Sequence, residues 1–163
     1  MSVSVGKSYH LKDSFFALAA DDNLMKNKED GHYRPHYFCV ADPTTEGIYW
    51  AIPQSTKVEK YERIMQNKIE RSKSHRCDTI VIGNFGGKDN AFLIQNMFPI
   101  TDKYIDHEHL IDGSSVTVHD ALCSEIETKA LRVLNLHKRG IHILFPDVDR
   151  IYGIMHTELS NKE

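Results

Sequence analysis

The stretch Pro53-Gln-Ser-Thr-Lys57 brings two hydroxyls and an ammonium into consecutive positions. A strand that delivers such a turn to the start of a helix makes an anion site from three sources. These are the backbone N–H groups with the helix dipole, the hydroxyls of Ser55 and Thr56, and the charge of Lys57. Ser55 also has the chemistry of an N-cap, which would give it a structural task instead. Upstream lies Tyr33-Arg-Pro-His-Tyr-Phe38. An imidazole with an ordinary pKa of about 6.5 suits general acid–base work, which makes His36 a candidate proton carrier; the alternative is a strand histidine satisfied by backbone. Tyr33, Tyr37 and Tyr49 offer phenols for proton donation or base stacking, although aromatic residues in strands commonly belong to the core. Tyr33 is the freest of the three because it precedes its strand.

Charge points to the same region. The chain carries 20 Lys and Arg against 23 Asp and Glu, a net of −3. Between Lys57 and Arg76, however, seven basic residues face three acids, a local net of +4 that leaves −7 for the remainder. Lys60, Arg63, Lys68, Arg71, Lys73 and Arg76 form a candidate strip for a phosphate backbone, whose neutralisation releases counterions and makes binding salt-dependent. A solvated helix face laced with i,i+4 ion pairs is the competing reading.

Two further functions compete with a phosphate-handling site at this turn. His107-Glu-His109 with Asp102, Asp106 and Asp112 offers imidazoles and carboxylates to a metal-dependent hydrolase. The histidines are two apart with no third at a motif spacing, so a polar loop is the simpler account. A non-catalytic RNA-binding module would use the basic strip alone, but neither Arg-Gly repeats nor an RNP-type aromatic run supports it. Gly83-Asn-Phe-Gly-Gly87 reads as a hairpin turn rather than a phosphate loop. Cys39, Cys77 and Cys123 are odd in number and widely spaced, which suits buried thiols and not a disulfide framework. No cofactor is implied.

The elements that must hold these residues follow from periodicity. A length of 163 residues with 40% hydrophobic content predicts one domain over 1–163. There is no apolar run near the ~20 residues of a bilayer span and no signal-peptide core, so a cytoplasmic protein is expected. A short helix is expected from Asp13 or Ser14, burying Phe15, Phe16 and Leu18. Strands at His36–Ala41 and Ile48–Ile52 flank turn chemistry, with Pro53 as the stop. Val58, Tyr61, Ile64, Met65 and Ile69 stripe a helix from Val58 to about His75. Thr79–Ile82 and Ala91–Ile94 flank a second hairpin, Phe98–Ile100 and Tyr104-Ile105 extend the sheet, and a helix runs from His119 to Lys138. Ile141–Phe145 is a last apolar segment, strand or helix. Short turns in place of crossover helices favour α+β with a curved antiparallel sheet.

In this arrangement Tyr33–Phe38, Ile48–Pro53, the Ser55-Thr56-Lys57 turn and the basic helix after it resemble the endoribonuclease toxins of type III toxin–antitoxin systems. This is the ToxN/AbiQ family, and the likeness is strongest to its CptN branch. It covers roughly Tyr9 to Leu136. It implies a compact barrel-like sheet core with added helices, similar to the MazF and Kid toxins. It also implies metal-independent RNA cleavage by 2′-OH attack, leaving a 2′,3′-cyclic phosphate. The implied partners are cellular RNA as substrate and a small antitoxin RNA, cut from a tandem-repeat precursor and folded as a pseudoknot. Toxin and RNA would form a closed homo-oligomeric assembly. Carried over by position, the active turn falls on Ser55, Thr56 and Lys57. A family lysine after the strand-opening proline is replaced here by His36, and the family's turn is one residue longer between its Pro and its Lys.

Overall fold

The structure, a computed structural model, describes residues 3–162, with the side chain of Cys39 outside the described set. In chain order the elements are β1 (Ser8–Leu11), α1 (Asp13–Ala19), β2 (Lys28–Glu29), β3 (His32–Tyr33), β4 (His36–Ala41), β5 (Ile48–Ser55), α2 (Val58–Arg71), β6 (Val81–Phe85), β7 (Lys88–Phe92), β8 (Phe98–Thr101), β9 (Ile105–Glu108), β10 (Leu110–Ile111), β11 (Ser114–Ser115), α3 (Asp120–Lys138) and α4 (Val148–Ser160). The architecture is α+β on a seven-stranded antiparallel sheet ordered β6-β7-β5-β4-β1-β9, with β8 also pairing β5. Irregular pairing between Phe38 and Val40 and between His10 and Leu11 interrupts two ladders, and such bulges bend and twist a sheet.

Pro53 does not stop β5. The strand runs to Ser55 by changing partner: Ile48–Ala51 pair β8, whereas Gln54 and Ser55 pair Phe92 and Ala91 of β7. Proline lacks the ladder donor, so it sits where the strand passes from one neighbour to the next, and its carbonyl accepts the Leu93 N–H at 3.0 Å. This switch carries the strand three residues beyond the expected end at Ile52 and delivers the Ser-Thr-Lys turn to the sheet's rim.

Strand alternation fills both faces. Tyr37 and Ile52 join Phe92, Ile126, Ala130 and Val133 on one side, under α3. Their neighbours Phe38 and Ala51 join Phe15, Phe98 and Ile151 on the other, under α1 and α4. Each of these enclosed aromatic or branched side chains contributes about 2 kcal/mol relative to exposure. Leu18, expected inside, is 42% exposed, because α1 is only seven residues long and turns Phe15 and Ala19 to the core.

The helix of the basic segment ends at Arg71, earlier than the stripe suggested. Ser72 is extended, its hydroxyl accepts the Ser74 N–H at 3.3 Å, and His75 has φ +50°. Side-chain bonding by serines offers the backbone this alternative to helix. Ile141–Phe145 is neither strand nor helix; Ile141 and Phe145 are exposed, and the Phe145 N–H bonds to the Gln95 carbonyl at 2.9 Å. Helix α4 follows, capped by Asp147 accepting from the Arg150 N–H at 3.3 Å and burying Val148, Ile151 and Met155. The β6–β7 turn uses Gly86 and Gly87 at φ +64° and +91°, the left-handed pair that two-residue hairpins require. Cys77 is buried and Cys123 half-buried, both as free thiols. Among the described residues no helix is long and apolar enough to cross a membrane.

Candidate active site

A cleft of about 640 Å³ opens where the end of β5 meets the β2–β3 hairpin, β7 and β9. Ser55, Thr56, Lys57 and Tyr33 all line it, so one site collects four of the five residues singled out for chemistry. Ser55 is held in the ladder opposite Ala91 and its hydroxyl accepts the Lys57 N–H at 3.2 Å. It therefore rigidifies the turn rather than capping α2, whose N-cap position is Lys57 itself with no side-chain cap. Thr56 and Lys57 are exposed.

The Lys57 ammonium donates to Glu29 Oε1 at 2.6 Å, and Arg34 Nη2 donates to the other carboxylate oxygen at 2.5 Å. Arg34 is 7% exposed and fixed from behind, giving Nε to the Lys26 carbonyl at 3.0 Å and Nη1 to the Gln54 carbonyl at 2.9 Å. The hydrogen bond to Glu29 pushes the Lys57 pKa up, and the bonds from Lys57 and then Arg34 hold the Glu29 carboxyl below its usual range. Lys57 thus stays a cation throughout the physiological range, suited to stabilising an anion and not to taking a proton. Tyr33, 42% exposed, donates to Asp13 Oδ2 at 2.9 Å, and that bond raises its phenol pKa. Tyr37 is enclosed in the core and Tyr49 packs on Phe38 with ring centres 6.1 Å apart.

His36 is not part of the cleft. It is 0% exposed, wedged beside Phe98 and Phe16 at ring separations of 5.5 and 6.0 Å, with Nδ1 3.0 Å from the Arg34 carbonyl oxygen. Burial, then the nearby Arg34 charge, pushes its pKa down to about 3. The role expected of it is corrected: strand pairing with Pro53 and Tyr9 turns the ring inward, where no substrate reaches it.

Four other histidines do reach the cleft: His32 on the β2–β3 hairpin and three that gather on the opposite wall. His10, His107 and His109 line it, from β1 and from β9 and its end. His10 Nε2 lies 2.7 Å from His109 Nδ1, its ring stacks on His107 at 4.7 Å, and His107 Nδ1 is 2.9 Å from Asp106 Oδ2. Burial, then His109 and His107, lower the His10 pKa to about 4; burial, then His107, lower that of His109. His10 carried no sequence signal, since only the β1–β9 ladder brings it to residues almost a hundred positions away. His107 and His109 are visible in the sequence as a pair, but their spacing suggests metal ligands or a polar loop and not a proton carrier. Among the described residues no group of three or more His, Cys, Asp and Glu is arranged to hold a metal ion.

The basic strip divides. Lys60, Arg63, Arg71, Lys73 and Arg76 are exposed on or just beyond α2, outside the cleft lining. Arg76 is paired with Asp78 at 3.1 Å. Lys68 is turned inward: it is half-buried, donates to Thr79 Oγ1 at 2.8 Å and Gln95 Oε1 at 2.6 Å, and has its pKa lowered by burial. Its expected place on the RNA face is corrected to a structural one, because the three-residue step from Met65 and Tyr61's stripe rolls it toward the sheet.

No family model and no curated protein matches the sequence. Solved structures do. AbiQ, a lactococcal anti-phage endoribonuclease belonging to the type III toxin–antitoxin system, superposes with a TM-score of 0.70 at 13% identity, covering 98% of this chain and 100% of AbiQ. The fold is that of AbiQ. A second structure, from work on a bacterial antiviral system regulated by a processed non-coding RNA, superposes at 0.64 with 10% identity over 90% of this chain and 95% of its own. The AbiQ fold thus spans almost the whole chain.

Proposed function

We propose that this single-domain protein is the toxin of a type III toxin–antitoxin system acting in phage defence. It cleaves RNA without a metal ion and is restrained by a small antitoxin RNA. The observation that carries this reading is the Ser55-Thr56-Lys57 turn set at the mouth of a cleft in an AbiQ fold. Lys57, kept protonated by Glu29, stabilises the charge that gathers on the non-bridging oxygens as the ribose 2′-OH attacks phosphorus. Thr56 supplies a hydroxyl donor. Ser55 shapes the turn, and Tyr33 offers a stacking surface or a phenolic donor at the rim. The exposed cations Lys60, Arg63, Arg71, Lys73 and Arg76 extend the positive edge away from Lys57, which suits a folded RNA larger than the cleft, such as a repeat-encoded pseudoknot. An RNA that fills one cleft and touches a second protomer would close a ring of copies.

The test is incubation of the purified protein with single-stranded RNA in excess EDTA, beside Lys57→Ala. Cleavage by the wild type and its loss in the variant, with an unchanged melting temperature, are expected. Equal cleavage by Lys57→Ala would remove the site assignment, and no cleavage of any RNA by the wild type would remove the enzymatic reading.

A further inference from the structure

None of the five residues first singled out for chemistry gives the proposed reaction a base. Lys57 is held protonated by Glu29, His36 is enclosed, and Tyr33 is engaged with Asp13 with its phenol made harder to ionise. The histidine platform on the same cleft fills that gap, and its hydrogen bonds give its two outward rings opposite tautomers. His107 Nδ1 faces the Asp106 carboxylate at 2.9 Å, an acceptor, so Nδ1 carries the hydrogen and Nε2 keeps its lone pair. His109 is set the other way. His10 Nδ1 is buried without a partner, a poor place for an N–H, so the His10 hydrogen sits on Nε2 and is donated to His109 Nδ1 at 2.7 Å. The hydrogen of His109 is then on its Nε2. His109 is fixed besides by its backbone N–H to the Ser8 carbonyl at 2.8 Å and by stacking on Phe85 at 5.9 Å.

Resting on the RNA-cleaving reading above, we propose that His107 is the general base of the cleft and His109 a hydrogen-bond donor to the attacked phosphate, with Asp106 and His10 as their positioning residues. O2′ attacks phosphorus, the O2′–P bond forms as the P–O5′ bond breaks, and the bonding pair leaves on O5′. The 2′-OH proton passes to His107 Nε2 and returns to O5′ through water, so no net proton or electron is consumed. His10 also packs on both other rings, stacked 4.7 Å from His107 at 15° and tilted at 50° with its centre 4.9 Å from His109, which ties the two side chains together on the cleft lining. The low pKa values of His10 and His109 keep that pair neutral, so its tautomer, and not a positive charge, decides what it presents.

The charged and titratable groups around His107 are Asp106 and Glu108 beside it on β9, Lys7 bound to Glu108 at 3.4 Å, His10 on the paired strand β1 and His109 just past the end of β9. Glu29, Asp30, His32, Tyr33, Arg34, Lys57 and Lys88 complete the titratable lining. The test compares wild type, His107→Gln, His109→Gln and Asp106→Asn in single-turnover cleavage of single-stranded RNA from pH 5 to 9. Binding of the same RNA with every 2′-OH methylated, which cannot be cleaved, is measured in parallel. His107→Gln is expected to slow cleavage by roughly 10²-fold or more and to flatten the acid limb of the profile while binding the methylated RNA as the wild type does. Asp106→Asn should shift that limb without abolishing it, which a purely structural role would not do, and so keeps the test valid if a histidine variant folds poorly. His107→Gln cleaving within twofold of wild type with the same acid limb would overturn the inference and leave the Lys57 site standing. A wild type that cleaves no RNA would overturn both.

Discussion

His36 carries the sharpest quantitative consequence of the structure. An imidazole pushed to about 3 in the fold and titrating near 6.5 in the unfolded chain changes stability with pH. Between those values the unfolded chain holds a proton that the folded one does not, so unfolding takes up a proton and acid favours the unfolded state. The contribution is complete above about pH 6.5 and is lost as pH falls toward 3, at ~1.4 kcal/mol per pH unit. From pH 7 to pH 5 the loss from His36 is about 2 kcal/mol. His10 acts in the same direction but is partly solvated, which damps its share, so the effect of His36 is isolated by substitution. His36→Phe suits the gap between Phe16 and Phe98 and gives up one bond to the Arg34 carbonyl. Urea unfolding followed by Trp50 fluorescence at pH 7 and pH 5 should show the fall in stability reduced by about 2 kcal/mol in His36→Phe relative to wild type. An identical fall in both proteins, or an NMR titration midpoint for His36 near its ordinary value, would refute the reasoning and return His36 to the list of groups able to handle protons at neutral pH.

Lys68→Met should leave RNA affinity within twofold of wild type while costing about 1–3 kcal/mol in urea unfolding, because the buried Thr79 and Gln95 lose a charged donor. Lys60→Ala and Arg63→Ala should do the reverse, weakening RNA binding across sequences and each lowering the salt slope by about 1 with little change in stability. Glu29→Gln removes the anion shared by Lys57 and Arg34, so RNA binding should tighten and its salt dependence steepen; unchanged binding would show that this carboxylate does not compete with phosphate. Gly86→Val should destabilise the fold and disturb the cleft, since φ is +64° there and an added Cβ would lie 2.1 Å from Ile111 Cδ1.

Local chemistry carried much of the fold into the sequence. Aromatic and β-branched content marked β4 and the first part of β5, the Tyr61 stripe marked α2, and Gly86-Gly87 marked the second hairpin. The Ser-Thr-Lys turn was legible because strand, turn and helix are consecutive. Features decided by distant contacts were not. The partner switch of β5 at Pro53 depends on β7, which arrives some forty residues later, and a lone proline in a strand reads as a stop. Helix α4 did have signals, an Asp147 cap and apolar residues at 148, 151 and 155, but Gly153 and a preceding proline masked them. His36 shares its strand pattern with a solvent-facing position, and only the packing of Phe16 and Phe98 shows it enclosed. His10 and Glu29 gained their places at the site through pairing of short strands, for which no sequence spacing exists.

The central claim is that this cleft cuts RNA by internal attack of the ribose hydroxyl. Mapping both ends of RNA cut by the purified wild-type protein in EDTA tests it most directly. The account predicts a 2′,3′-cyclic phosphate on one fragment and a 5′-hydroxyl on the other, both absent with Lys57→Ala. Fragments ending in 3′-hydroxyl and 5′-phosphate, or cleavage that requires added divalent metal, would contradict it.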